Sequence, residues 1–96
     1  MKPDTVNHYA AGAPPLLRDF LNYMLTIRGR SAKTTHEYFL DLRTFFRYLK
    51  QAKGLAAQDI PFDQIEIADI DLSFIRDITL SDTYDYLAFM AQQRPK

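Results

Sequence analysis

Four basic side chains occur at helical spacing near the middle of the sequence. His36, Arg43, Arg47 and Lys50 follow one another at intervals of seven, four and three residues. At about 100° per residue, these positions share one face of an α-helix, and no acidic residue interrupts that face. Guanidinium and ammonium groups bind phosphate oxygens, so this basic stripe predicts an anion-binding surface. The alternative is an ordinary solvated face, although such a face usually mixes both signs of charge.

The start of the same helix is also basic. Ser31 is a favourable N-cap, and Arg28, Arg30 and Lys33 lie on either side of it. A helix N-terminus presents free N–H groups and a partial positive charge, both of which favour phosphate. The first turn therefore extends the predicted anion-binding surface beyond the basic stripe.

Charge is divided between the two halves of the chain. Twelve Lys and Arg balance twelve Asp and Glu, so the formal net charge is zero. Residues 14–54 hold eight basic against three acidic side chains, whereas residues 55–93 hold eight acidic side chains against Arg76 alone. Because binding depends on where charge is placed, the neutral total does not argue against a nucleic-acid partner.

No residues have the spacing of an active site or a metal site. The absence of cysteine excludes disulfides and thiolate metal ligands, and it fits a reducing cytoplasm. His8 and His36 lie far apart, and the sequence has no H-E-x-x-H, glycine-rich phosphate loop or G-x-S-x-G. The acidic residues between Asp59 and Asp85 lack the order and the glycine of a calcium loop. We therefore expect no catalytic residue, metal, cofactor or small-molecule substrate, and a solvated surface for these acids.

The sequence also lacks the features of a membrane or secreted protein. No apolar run approaches the roughly 20 residues that span a bilayer. The opening segment, MKPDTVNHYAAGAPP, contains no continuous apolar stretch of the kind found in secretory signals. We expect no membrane partner and a cytoplasmic location.

Apolar periodicity predicts an all-α domain of about four helices. Residues 1–13 are expected to form a flexible lead-in, and residues 14–96 the domain itself. The predicted helices span residues 15–28, 31–52, 71–78 and 80–92. The acidic stretch between the second and third helices could form a short strand through Ile65 and Ile67. We favour an irregular connection whose isoleucines lie under the core, because no second strand is present to pair with it.

The predicted helices have distinct faces. The second helix is expected to bury Tyr38, Leu42, Phe45 and Leu49, with the basic stripe about 180° away and Phe39 between the two faces. The last helix is expected to begin at a cap formed by Thr79 and Asp82. Its predicted buried residues are Leu80, Tyr84, Leu87 and Met90.

The second helix carries a pattern typical of one family. SAKTTHEYFLDLRTFFRYLK fits S-x-x-T-x-x-x-Y-x-x-D-L-x-x-F-x-x-Y-L. It resembles the N-terminal core-binding domain of tyrosine recombinases, the phage-type integrases and Xer-type recombinases. LLRDFLNYMLTIRGRS resembles the first helix and turn of that domain, and ITLSDTYDYLAFM resembles a later helix. The resemblance extends from about Leu16 to Met90.

The resemblance implies a SAM-like bundle that clamps double-stranded DNA, with the second helix in the major groove. It implies that Thr34, His36 and Leu40 contact the DNA, whereas Lys33, Arg43 and Arg47 are added by their charge and helix face. It also implies other recombinase protomers as partners, and a separate catalytic domain that holds the tyrosine nucleophile. The sequence ends at Lys96, before the last helix of the family's domain. We therefore expect a partial core-binding domain without enzymatic activity of its own.

The predicted DNA-contact residues are Arg30, Lys33, Thr34, His36, Leu40, Arg43, Arg47 and Lys50. A helical protein-interaction module that uses the acidic half or the first helix remains the alternative. Steep salt dependence of binding to duplex DNA distinguishes the first function from the second.

Overall fold

The structure, a computed structural model, describes residues 10–93 and contains four α-helices in that range. They are α1 (Pro15–Thr26), α2 (Ala32–Ala52), α3 (Leu72–Arg76) and α4 (Leu80–Gln93). A 3-10 turn, Phe62–Gln64, lies within the connection between α2 and α3, and the described residues form no strand. The predicted all-α fold is confirmed, with α1 and α3 each ending two residues earlier than expected. Within residues 10–93, no helix is long and apolar enough to cross a membrane.

The turn between α1 and α2 is determined by local sequence. Gly29 has φ +67°, a conformation that favours glycine, and the N–H of Arg30 donates to the carbonyl of Met24 at 2.9 Å. The chain then turns directly into α2, where Ser31 Oγ accepts from the N–H of Thr34 at 3.0 Å. Ser31 is therefore the N-cap of α2, as predicted.

The core lies where α1, α2 and the connection meet. Leu17 and Leu21 of α1 are buried against α2. The isoleucines of the connection are buried as well, which confirms that this acidic segment inserts its apolar side chains beneath the helices. The buried isoleucines are Ile65, Ile67 and Ile70.

The buried face of α2 differs from the predicted one. Phe39 and Phe46 are almost fully buried together with Leu49, whereas Tyr38 and Phe45 are only half-buried. The helix is rotated toward the connection, which packs on the side that sequence spacing assigned to solvent. The prediction that the basic stripe lies opposite the core is therefore wrong, because the stripe borders the buried face.

The buried face of α4 was also predicted incorrectly for three of its four residues, whereas the fourth, Met90, is half-buried. Leu80, Tyr84 and Leu87 are 68%, 62% and 56% exposed. Tyr86 and Phe89 instead pack on α2, with ring centroids 4.8 Å from Phe45 and 4.9 Å from Tyr48 respectively. Apolar residues occur on two sides of α4, and their spacing alone does not show which side meets α2.

The segment before α1 belongs to the core from residue 10 onward. Ala10 and Ala13 are buried, and the N–H of Ala13 donates to the carbonyl of Ala10 at 3.0 Å. Two of the last four residues of the predicted flexible lead-in, Ala10 and Ala13, therefore pack against the bundle, whereas Ala11 and Gly12 are exposed. Residues 1–9 of that lead-in, and residues 94–96 at the other end, lie outside the described residues.

Candidate nucleic-acid interface

The beginning of α2 presents an open basic surface. Arg30, Lys33, His36 and Leu40 are exposed. Neither Arg30 nor Lys33 forms an ion pair within residues 10–93. Since the N-terminus of α2 adds its partial positive charge here, this surface suits an anionic ligand.

Thr34 lies at the edge of that surface and is half-buried. Its backbone N–H is held by Ser31, and its Oγ1 accepts a hydrogen bond from the Ser31 hydroxyl at 3.0 Å. The structure therefore gives Thr34 a local role in the helix cap. Within residues 10–93 its hydroxyl group donates no hydrogen bond, which leaves one donor for a ligand.

Lys50, at the other end of the basic stripe, is buried. Its Nζ donates to the carbonyl of Glu66 at 2.9 Å and to Asp69 Oδ1. The hydrogen bond from Lys50 is the main cause that holds the pKa of Asp69 below its usual value. The prediction that Lys50 lies on an exposed face is wrong, since its ammonium group joins α2 to the connection.

Arg47 is half-buried and also contacts the connection. Its Nε donates to the carbonyl of Ile65 at 3.0 Å. Burial lowers the pKa of Arg47, the positive charge of Arg43 lowers it further, and the carboxylate of Asp63 acts in the opposite direction. The guanidinium group is thus fixed on one edge by the backbone of the connection.

Arg43 has a different environment. Its guanidinium carbon lies 5.3 Å from the centroid of the Phe39 ring, a cation–π contact. Within residues 10–93, its Nε is buried and has no hydrogen-bond partner. A buried donor without a partner costs about 1–3 kcal/mol, so a ligand that draws Arg43 into a hydrogen bond would recover part of that energy.

The eight predicted site residues therefore fall into three environments. The open surface holds Arg30, Lys33, Thr34, His36 and Leu40, whereas Arg43 and Arg47 lie together in a cleft and Lys50 is buried. Of the eight, Arg30, Lys33, His36 and Leu40 are exposed, Thr34, Arg43 and Arg47 are half-buried, and Lys50 is buried. Only the accessible residues can contact a large ligand directly.

Sequence spacing missed the contact between the basic stripe and the acidic connection. A signal for it was present, because residues 14–54 are net positive and residues 55–93 are net negative. Opposite charge on two segments of one small domain favours their contact, as seen at Lys50–Asp69 and at Lys53–Asp82, the latter 3.2 Å apart.

Comparison with known families explains this arrangement of helices. Residues 17–78, which include α2, α3 and all but the first two residues of α1, match the phage integrase N-terminal SAM-like domain. The chain belongs to this family. The SAM-like domain therefore accounts for most of the described residues, and the resemblance based on the α2 pattern is confirmed.

Two curated relatives of this integrase-type domain are tyrosine recombinases. Tyrosine recombinase XerC of Caldanaerobacter subterraneus subsp. tengcongensis is 46% identical over 81 residues, which cover 84% of this chain and 23% of that protein. Tyrosine recombinase XerD of Listeria monocytogenes serotype 4b is 48% identical over 40 residues, 42% of this chain and 14% of that protein. The chain thus spans less than a quarter of the length of either relative. No solved structure gave a significant match.

Proposed function

We propose that this chain is the DNA-binding N-terminal module of a site-specific tyrosine recombinase. In this proposal, the first half of α2 enters the major groove of the recombination site and the module clamps one face of the duplex. The observation that carries the proposal is the open basic surface at the start of α2, where Arg30 and Lys33 have no carboxylate partner within residues 10–93. The family and the two named relatives support it.

The residues of the three environments have different roles in DNA binding. Arg30 and Lys33 neutralise phosphates at the groove edge, while Thr34, His36 and Leu40 lie nearest the base edges. Arg43 and Arg47 bind a phosphate farther along α2. Lys50 makes no contact with DNA and instead holds the connection in place, because its ammonium group is already bonded to Glu66 and Asp69.

The partners of the module are duplex DNA and further recombinase protomers. We propose no small-molecule substrate and no cofactor for it. Recombination requires access to intracellular DNA, so the protein acts in the cytoplasm, which fits a sequence without cysteine.

Salt-dependent binding to a fluorescein-labelled duplex tests this function. Counterion release makes log Kd rise linearly with log salt, with a slope of about 0.9 for each phosphate neutralised. Replacement of both Arg30 and Lys33 by Ala should reduce this slope by about 1.8 and weaken binding to all sequences alike. The control is Arg76→Ala, an exposed arginine on α3 outside the proposed surface, which should leave the slope unchanged. Binding that does not respond to salt would exclude the proposed function.

A protein-interaction module remains the second candidate because of one feature. The outer face of α4 exposes Leu80, Tyr84 and Leu87, three large apolar side chains on one side of a helix. If this face were the functional surface, Leu87→Ser would abolish binding to a protein partner while duplex DNA produced no salt-dependent signal.

A further inference from the structure

Arg43 and Arg47 line a cleft beside the exposed part of α2. One wall is α2 itself, with Phe39 beneath the guanidinium group of Arg43. The opposite wall is formed by residues 63–68 of the connection, and Ala11 and Gly12 close one end. The cleft has a volume of about 350 Å³. This is at the lower end of the roughly 300–1,000 Å³ typical of small-ligand sites, so it suits a single compact group.

The two arginines of this cleft form no direct ion pair with the described residues, although the carboxylate of Asp63 favours the charged form of Arg47 from a distance. Within residues 10–93, neither arginine forms an ion pair, although Lys50 of α2 and Lys53, which follows α2, both do. Arg47 donates its Nε to a backbone carbonyl, whereas Arg43 contacts the ring of Phe39. Two adjacent guanidinium groups repel each other, and an anion placed between them relieves that repulsion.

The geometry favours a phosphate-like group. Guanidinium forks bind the tetrahedral oxygens of a phosphate through paired hydrogen bonds. Phe39 and the carbonyl of Ile65 hold the two forks in place, so little conformational freedom is lost when a ligand binds.

Two carboxylates that line the cleft favour a phosphate group of low charge over one of higher charge. Asp63 and Glu66 are exposed residues of the connection and line the far wall of the cleft. Their carboxylates repel any negative charge on the ligand, and they repel two charges more strongly than one. A phosphodiester carries one charge, whereas inorganic phosphate carries between one and two at neutral pH, so these carboxylates favour the diester.

We propose that this arginine cleft binds one phosphodiester of the DNA backbone and thereby fixes the position of α2 along the duplex. The proposal rests on the proposed function, because duplex DNA is the source of the diester. It specifies that the phosphate contacted by Arg43 and Arg47 is one diester held within the cleft, about three to four turns from the N-terminus of α2. The register of the helix on DNA is then held at two points, the N-terminal surface and the cleft.

Duplex binding by matched arginine variants tests the cleft. Arg43→Gln should make the log–log salt slope shallower by about 0.9, and it should weaken binding to cognate and unrelated duplexes equally. Arg43→Lys should retain the slope, since the charge remains, but bind less tightly because the fork is lost. The matched control is Arg18→Gln on α1, because Arg18 Nε is also buried without a partner within residues 10–93. This control should bind as the parent does.

A second measurement separates a binding effect from a folding effect. The Nε–H signal of Arg43 in 1H–15N spectra of the unsubstituted chain should shift on addition of duplex, and shift far less with inorganic phosphate at the same phosphate concentration. An equal response to both would show an unselective anion site and overturn the choice of a diester.

The salt-dependence experiments distinguish a wrong cleft proposal from a wrong proposed function. If the parent binds duplex with a steep salt slope and Arg43→Gln has the same slope, the cleft proposal is wrong and the function stands. If the parent shows no salt-dependent binding, the function itself fails, and the cleft has no DNA phosphate to bind.

Discussion

At the scale of single residues, Lys50 shows how a side chain that suits phosphate can serve the fold instead. It lies on the basic stripe, yet its ammonium group is buried and bonded to Glu66 and Asp69. Sequence spacing showed that Lys50 shares a helix face with Arg43 and Arg47, but it could not show that the connection covers Lys50. The two residues that bond to its ammonium group lie 16 and 19 residues later in the chain, beyond the reach of local periodicity.

Lys50→Met should therefore destabilise the domain. The methionine fills a similar volume, but the Glu66 carbonyl loses its donor, and we expect a loss of about 1–3 kcal/mol. Lys53→Met is the matched control, because Lys53 pairs with Asp82 in a more exposed position and should cost less. Urea unfolding of both variants measures the two losses. Equal losses would show that the buried amine contributes no more than a surface ion pair.

The same contact predicts a dependence on pH. Because the pKa of Asp69 is lowered in the folded chain, the contact stabilises the fold above the unfolded pKa, near 4, and this stability is lost as pH falls through the folded value. The parent should exceed Asp69→Asn in free energy of unfolding at pH 6, and the difference should shrink as pH falls below about 4. Asp59→Asn, an exposed residue of the same connection, serves as the control. A difference that stays constant from pH 6 to pH 2.5 would contradict this contribution.

At the scale of helices, the sequence predicts boundaries better than faces. Caps are local, and both predicted caps are present: Ser31 caps α2, and Thr79 and Asp82 exchange hydrogen bonds of 2.9 and 3.0 Å. Burial depends on what packs against a helix. The apolar residues of α4 lie on two sides, and the side that meets α2 is selected by aromatic contacts of Tyr86 and Phe89.

The two sides of α4 should respond differently to substitution. Phe89→Ala removes ring contacts with Tyr48 and Phe62 and should destabilise the domain by about 2 kcal/mol or more. Tyr84→Ala removes an equally large but exposed ring and should stay within about 0.5 kcal/mol of the parent. Thermal unfolding followed by circular dichroism compares the two. A larger loss for Tyr84→Ala would show that the outer face is the packed one.

At the scale of the whole molecule, the two oppositely charged halves pack against each other. The acidic half is tied to the last turns of α2 by Lys50–Asp69 and Lys53–Asp82. Within residues 10–93, Arg30 and Lys33 at the start of α2, and Arg43 and Arg47 in the arginine cleft, remain without an ion pair. The sequence predicted the family, the helices and this accessible surface, but not the division of the basic stripe, which arises only when the halves meet.

The chain by itself should not cleave DNA. The resemblance to tyrosine recombinases implies that the nucleophile belongs to a separate domain, so none of the six tyrosines here is expected to be that nucleophile. Incubation with supercoiled plasmid should give neither nicked product nor protein–DNA adduct on a denaturing gel. A trapped phosphotyrosyl adduct would contradict this expectation.

Mapping of amide chemical shifts during titration with duplex DNA tests the central claim most directly. We predict that the largest changes occur between Arg30 and Arg43, that they diminish as salt rises, and that the outer face of α4 around Tyr84 is unaffected. Changes confined to α4, or none that depend on salt, would contradict binding of DNA through the first half of α2.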